Sequence, residues 1–141
     1  MAPKVLTQYE SLPLILVRSV VIARALAQDT DIIVLDEPTA ALDVVRQIEV
    51  LNFLRRHCKE RDKTIIAAIH DLNLAVHYCD RLILLNNGVV FADGAPSKVV
   101  TGENLSAVYG GGSHVYPHPI SGLPAVLPAA EWAGGNQTIG K

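Results

Sequence analysis

The sequence predicts an α/β fold built on parallel strands. Two short apolar runs, Ile32-Ile33-Val34-Leu35 and Ile65-Ile66-Ala67-Ala68-Ile69, flank a segment whose apolar residues recur every three or four positions. The first run ends in two adjacent carboxylates, Asp36 and Glu37, and the second ends in His70-Asp71. Continuous apolar runs suit parallel strands covered on both faces, and the periodic segment between them suits a crossover helix of the right-handed kind. Such a unit brings Glu37 and His70 to one edge of the sheet, where α/β proteins bind ligands.

Each element has a local reason. Residues 1–18 carry Pro3 and Pro13 and read as a poorly specified N-terminal segment. Residues 19–28 are almost all apolar apart from Arg24, as expected of a helix packed on a sheet. Asp31 opens the first strand. Pro38 delays the next helix, and Asp43 is placed to cap one that runs from Val44 to about Glu60. Val45, Ile48, Leu51, Leu54 and Cys58 form its apolar stripe, while Arg46, Glu49, Arg56, Lys59 and Glu60 face water. The second strand spans residues 64–69. Asp71 can cap a short helix through Cys79, and Asn87-Gly88 is a two-residue hairpin signal between residues 81–86 and 89–92. Residues 96–100 and 103–109 read as two short helices. From 111 to 141, Gly and Pro accumulate and little regular structure is expected beyond a strand near residues 114–116. The expected division is therefore 1–18, 19–110 and a 111–141 tail.

The bulk properties exclude several classes. With 141 residues, half of them hydrophobic, the chain can bury roughly two-thirds of its unfolded surface. A net charge of −2 with scattered basic residues gives no field for nucleic acid, and none is expected as a partner. Cys58 and Cys79 form no metal-ligand spacing and read as reduced thiols. His114 and His118 lie in a Pro/Gly-rich tail and read as unliganded. Lys4, residues 12–17 and Ala25-Leu26-Ala27 imitate a secretory leader, but Arg18 and Arg24 interrupt the apolar stretch.

An apolar strand delivering two acids to its carboxyl end is what phosphate cleavage requires, one acid to hold Mg²⁺ and one to orient water. The run Leu35-Asp36-Glu37-Pro38-Thr39-Ala40-Ala41-Leu42-Asp43 resembles the Walker B motif and D-loop of ABC-transporter ATPases residue for residue, and Ala67-Ala68-Ile69-His70-Asp71-Leu72-Asn73-Leu74-Ala75 resembles their H-loop. Ile22-Ala23-Arg24-Ala25-Leu26-Ala27 resembles the helix after the family's signature motif, and Leu105-Ser106-Ala107-Val108-Tyr109-Gly110 points to the iron-siderophore, haem and cobalamin importers.

The resemblance implies the C-terminal half of an ABC ATPase: a partial P-loop NTPase core of RecA-like type without its phosphate-loop strand. It implies Mg²⁺ held through water by Asp36, Glu37 as general base, His70 on the γ-phosphate of ATP, and Asp43 at the contact between paired domains. It further implies membrane permease subunits and a second ABC ATPase domain as partners, at the inner face of the cell membrane. Two departures temper these expectations. No G-x-x-x-x-G-K-[ST] occurs in the 141 residues, and Leu12-Pro13-Leu14-Ile15-Leu16 stands where the family has its L-S-G-G-Q signature. This chain alone is therefore expected to hydrolyse no ATP, and a non-catalytic remnant that binds another ABC domain or a permease is the competing reading. Without the phosphate-loop strand, residues 64–69 are expected to leave an unpaired strand edge.

Overall fold

The computed structural model describes residues 14–129, with side chains from Val20 onward, and its two compact units divide between Asp71 and Leu72. The first unit runs α1 (Leu14–Ala27), β1 (Ile32–Asp36), α2 (Val44–Arg61), β2 (Thr64–Ala68). Strands β1 and β2 pair in parallel, Ile32 opposite Thr64 through Asp36 opposite Ala68. Ile33 and Leu35 point to one face, where they pack with Ile22 of α1 and Leu54 of α2; Ala25, Leu26, Val50, Ile65 and Ala67 surround them. Burying each such aliphatic side chain stabilises the unit by about 1.5–3 kcal/mol.

Helix α2 starts where its cap dictates. The Asp43 carboxylate accepts the Arg46 N–H at 3.0 Å, a contact of about 1 kcal/mol. It stops at Asp62, which adopts the left-handed conformation (φ 52°) and donates its N–H to the Cys58 carbonyl. Lys63 follows, reaching Asp31 Oδ1 at 3.2 Å and the Asp29 carbonyl at 3.1 Å, so that the loop before β1 is tied to the entry of β2. The hydrogen bond to Asp31 raises the ammonium's pKa above the ordinary lysine value.

Two expectations for this unit are corrected. Helix α1 begins at Leu14 rather than Ser19, because the aliphatic run from Leu14 continues the helical segment up to Pro13. The rest of the expected N-terminal segment, residues 1–13, lies outside the described residues. The strand pair is covered on one face only. Ile32, Val34 and Ile66 are 58%, 71% and 53% exposed. Helices α1 and α2 supply a single layer, and no described strand adjoins the free edges of β1 or β2.

The second unit runs α3 (Leu72–Tyr78), β3 (Leu82–Asn86), β4 (Val89–Gly94), α4 (Pro96–Val99), α5 (Gly102–Tyr109), β5 (Ser113–Pro117) and β6 (Pro124–Pro128). The β3–β4 hairpin turns through Asn87 and Gly88, both at positive φ (50° and 79°), the geometry that Asn-Gly favours. Val76, Val100 and Leu105 form the core, packed by Leu72, Leu82, Val115, Leu123 and Val126. Strand β5 lies where the sequence places one, but its antiparallel partner β6 was not anticipated. Pro124 and Pro128 sit at the ends of β6, where a missing N–H does least harm. Asn73 fixes that strand from α3: its side chain donates to the Val126 carbonyl at 3.1 Å and accepts the Val126 N–H at 2.8 Å. Among the described residues no helix is long and apolar enough to cross a membrane.

Arg81 clamps the β3–β4 hairpin by donating from Nε and a terminal nitrogen to the two carboxylate oxygens of Asp93, at 2.7 and 2.6 Å. That hydrogen bond holds the Asp93 carboxyl below the ordinary aspartate range. A carboxyl lowered on folding stabilises above its unfolded value and loses that contribution as pH falls through the folded one. The urea midpoint is therefore expected to hold steady down to about pH 5 and to fall below about pH 4, and in Arg81→Ala the Asp93 share of that fall disappears. Side-chain carboxyl shifts of Asp93 followed by NMR check the assignment; an unshifted Asp93 titration would refute it.

Candidate functional site

The alternation of β1 decides which acid goes where. With Ile33 and Leu35 turned into the core, Asp36 emerges on the exposed face beside Val34. Glu37 leaves the strand in the left-handed conformation (φ 46°) and donates its N–H to the Ala68 carbonyl at 3.1 Å, extending the ladder with β2 by one residue. The following loop is tightly wound. Ala40 N–H reaches the Glu37 carbonyl at 3.1 Å and Leu42 N–H the Thr39 carbonyl at 3.3 Å, while Ala41 is again left-handed (φ 61°). Each such non-glycine residue costs about 1–2 kcal/mol, so the surrounding contacts must hold the loop in place. Thr39 is buried, and Gln47 in the first turn of α2 donates its side-chain amide to the Thr39 carbonyl at 3.3 Å.

His70 stands two residues past the end of β2, and its Nε2 lies 2.6 Å from Glu37 Oε1. The parallel register makes this inevitable, because the residues after Asp36 and Ala68 leave the sheet side by side. The pair is open to solvent: the His70 side chain is 82% exposed and that of Glu37 40%. A carboxylate hydrogen-bonded to an imidazole at an accessible strand end can accept a proton from water while the ring contacts an anion. Asp36 is the neighbouring carboxylate. Asp43 is engaged at the start of α2, six residues on.

Of the four residues singled out from the sequence, the structure thus joins Glu37 to His70, sets Asp36 next to them in the chain, and gives Asp43 a capping contact. It adds two that sequence reading passed over. Gln47 and Thr39 hold the loop through a side-chain-to-backbone bond that no motif announces, although an amide one turn into a capped helix is a usable signal.

The donor set suits part of a nucleotide site. An exposed Asp36 carboxylate is the hard oxygen ligand that Mg²⁺ takes together with waters and substrate phosphates. The triphosphate has no glycine-rich cradle in the first unit, since the first glycine in the sequence is Gly88. Among the described residues no three His, Cys, Asp or Glu side chains cluster to hold a metal by themselves.

No family model matches the chain. It is 41% identical over 107 residues to the achromobactin transport ATP-binding protein of Dickeya dadantii, and 41% identical over 112 residues to the ferric enterobactin transport ATP-binding protein of Escherichia coli. These matches take in 76% and 79% of the chain. A solved inward-facing ABC transporter of metal-chelate type covers 86% of the chain with a TM-score of 0.74 and 28% identity. The chain is homologous to the ATP-binding subunits of ABC importers. Other ABC-importer relatives are named for haemin and cobalamin import. The chain spans about two-fifths of the two curated relatives, 40% and 41%, and 49% of the solved transporter chain. Its mixed α/β architecture with a parallel strand pair is that of part of an ABC ATPase domain.

Proposed function

We propose that this chain carries the water-activating part of an ATP-hydrolysing subunit serving an importer of iron-siderophores, haem or cobalamin. The observation that supports it most directly is the 2.6 Å contact between Glu37 and His70 at the end of paired parallel strands. In this reading Mg-ATP is the substrate. Asp36 holds the Mg²⁺ through water, and Glu37 takes a proton from the attacking water. The water oxygen bonds to the γ-phosphorus, and the bond to the bridging oxygen of ADP breaks. His70 turns from Glu37 to a γ-phosphate oxygen and keeps the water in line. Asp43, on the rigid first turn of α2, serves the contact with a second ATPase domain. Permease subunits hold the assembly at the cytoplasmic face of the membrane.

A second reading, a non-catalytic remnant that binds another ABC domain, draws on the lack of a phosphate loop in these 141 residues. One exchange tests the catalytic reading. The stretch that matches the Escherichia coli ferric enterobactin protein is substituted for its counterpart there, in cells lacking the native subunit. Growth on ferric enterobactin as the iron source is expected. A chimaera that is expressed and assembles with the permease, yet supports neither uptake nor ATP turnover, would leave the remnant reading in its place.

A further inference from the structure

We infer that the exposed face and free edge of the β1–β2 pair are a docking surface for a second polypeptide, one that adds a parallel strand beside β2 and lays an apolar helix over Ile32, Val34 and Ile66. The inference rests on the ATP-hydrolysing reading and names the partner that completes its site.

Three observations carry it. The face is apolar in a fold where it should be covered: Ile32, Val34 and Ile66 stand 53–71% exposed on one side, while Ile33 and Leu35 on the other are below 7%. Parallel strands bare on one face are rare, because their crossover connections ordinarily bring helices to both. Strand β2 has one ladder, with β1, and its other edge adjoins no described strand, which makes it a template for strand addition. Finally, the face is not uniformly apolar. Its carboxyl end is Asp36, on the same side as Ile32 and Val34, so whatever covers the face must meet that acid with a cation or a metal-bound phosphate.

A strand, an anion-holding loop and a helix satisfy all three in one unit. The strand pairs with β2, the helix covers the aliphatic residues, and the loop arrives at the end where Asp36, Glu37 and His70 lie. The comparisons indicate where such a unit is found. About three-fifths of each curated relative's length, and half of the solved transporter chain, has no counterpart in these residues. The occupant is thus a polypeptide equivalent to that unmatched portion.

The test mixes the 141-residue chain with a purified fragment of the Escherichia coli ferric enterobactin protein comprising the residues this chain does not match, with no nucleotide present. Calorimetry and sedimentation are expected to give a one-to-one complex of micromolar or tighter affinity. Val34→Asp and Ile66→Asp are each expected to weaken it at least tenfold; both side chains are exposed, so the fold tolerates them, as circular dichroism would verify. Ile120→Asp, at a residue 91% exposed in the second unit, is expected to leave it unchanged. No complex, a complex indifferent to Val34→Asp and Ile66→Asp, or self-association of the chain through this face would overturn the inference. A complex that forms but does not hydrolyse ATP counts against the catalytic reading and leaves the docking surface standing.

Discussion

Glu37→Gln is expected to lower ATP turnover by the completed assembly about 10²–10⁴-fold, the usual worth of a positioned general base, while Mg-ATP binding stays near that of the unsubstituted protein. The substitution isolates a single property. Glutamine keeps the length of glutamate and still offers an oxygen to the His70 ring, so the 2.6 Å contact survives. It cannot accept the proton of the attacking water. The backbone position is equally conserved, because the Glu37 N–H is held by the Ala68 carbonyl whatever the side chain. Turnover is measured as phosphate release, and binding by displacement of a fluorescent nucleotide. A variant that still turns over within threefold of the parent would remove Glu37 from the role of base. The 141-residue chain by itself is expected to show no turnover with or without the substitution, because nothing in its first unit can cradle a triphosphate.

Leu105→Ala is expected to destabilise the second unit by about 2–5 kcal/mol, the largest effect on stability of any aliphatic truncation in that core. Leu105 is 1% exposed and sits among Val76, Val100, Val115 and Val126, which come from four separate elements and cannot all move inward to fill the space. Ile120→Ala, at a side chain already in water, is expected to change stability by less than about 0.5 kcal/mol. Urea midpoints for the two variants, read from amide signals of α5 and β5, make the comparison. Equal midpoints would show that Leu105 is not the keystone of this cluster.

Much of the site was legible because its determinants are local. Asp43 caps α2 as its sequence position suggests, Asn87-Gly88 turns the hairpin, and the carboxylates follow the last apolar residues of β1 directly. The meeting of Glu37 and His70 follows from strand, helix, strand connectivity alone. What stayed hidden depends on distant parts of the chain. Strand β6 is bounded by prolines that argue against a strand, and it is held by Asn73, 53 residues away. The bonding of Gln47 to Thr39 rests on a loop conformation with two left-handed residues that composition does not reveal. The bare side of β1–β2 could not be read either. Aliphatic runs report that a strand is built for burial on both sides, not whether the second cover is present.

That uncovered side also bears on how much of the chain a cell can hold. A flat aliphatic ridge next to open backbone amides is attractive to chaperones, to proteases and to other copies in the same condition. The standing amount of this protein should therefore track the supply of whatever shields the ridge. Made in excess, it has nowhere to hide; made in step, it becomes half of a motor.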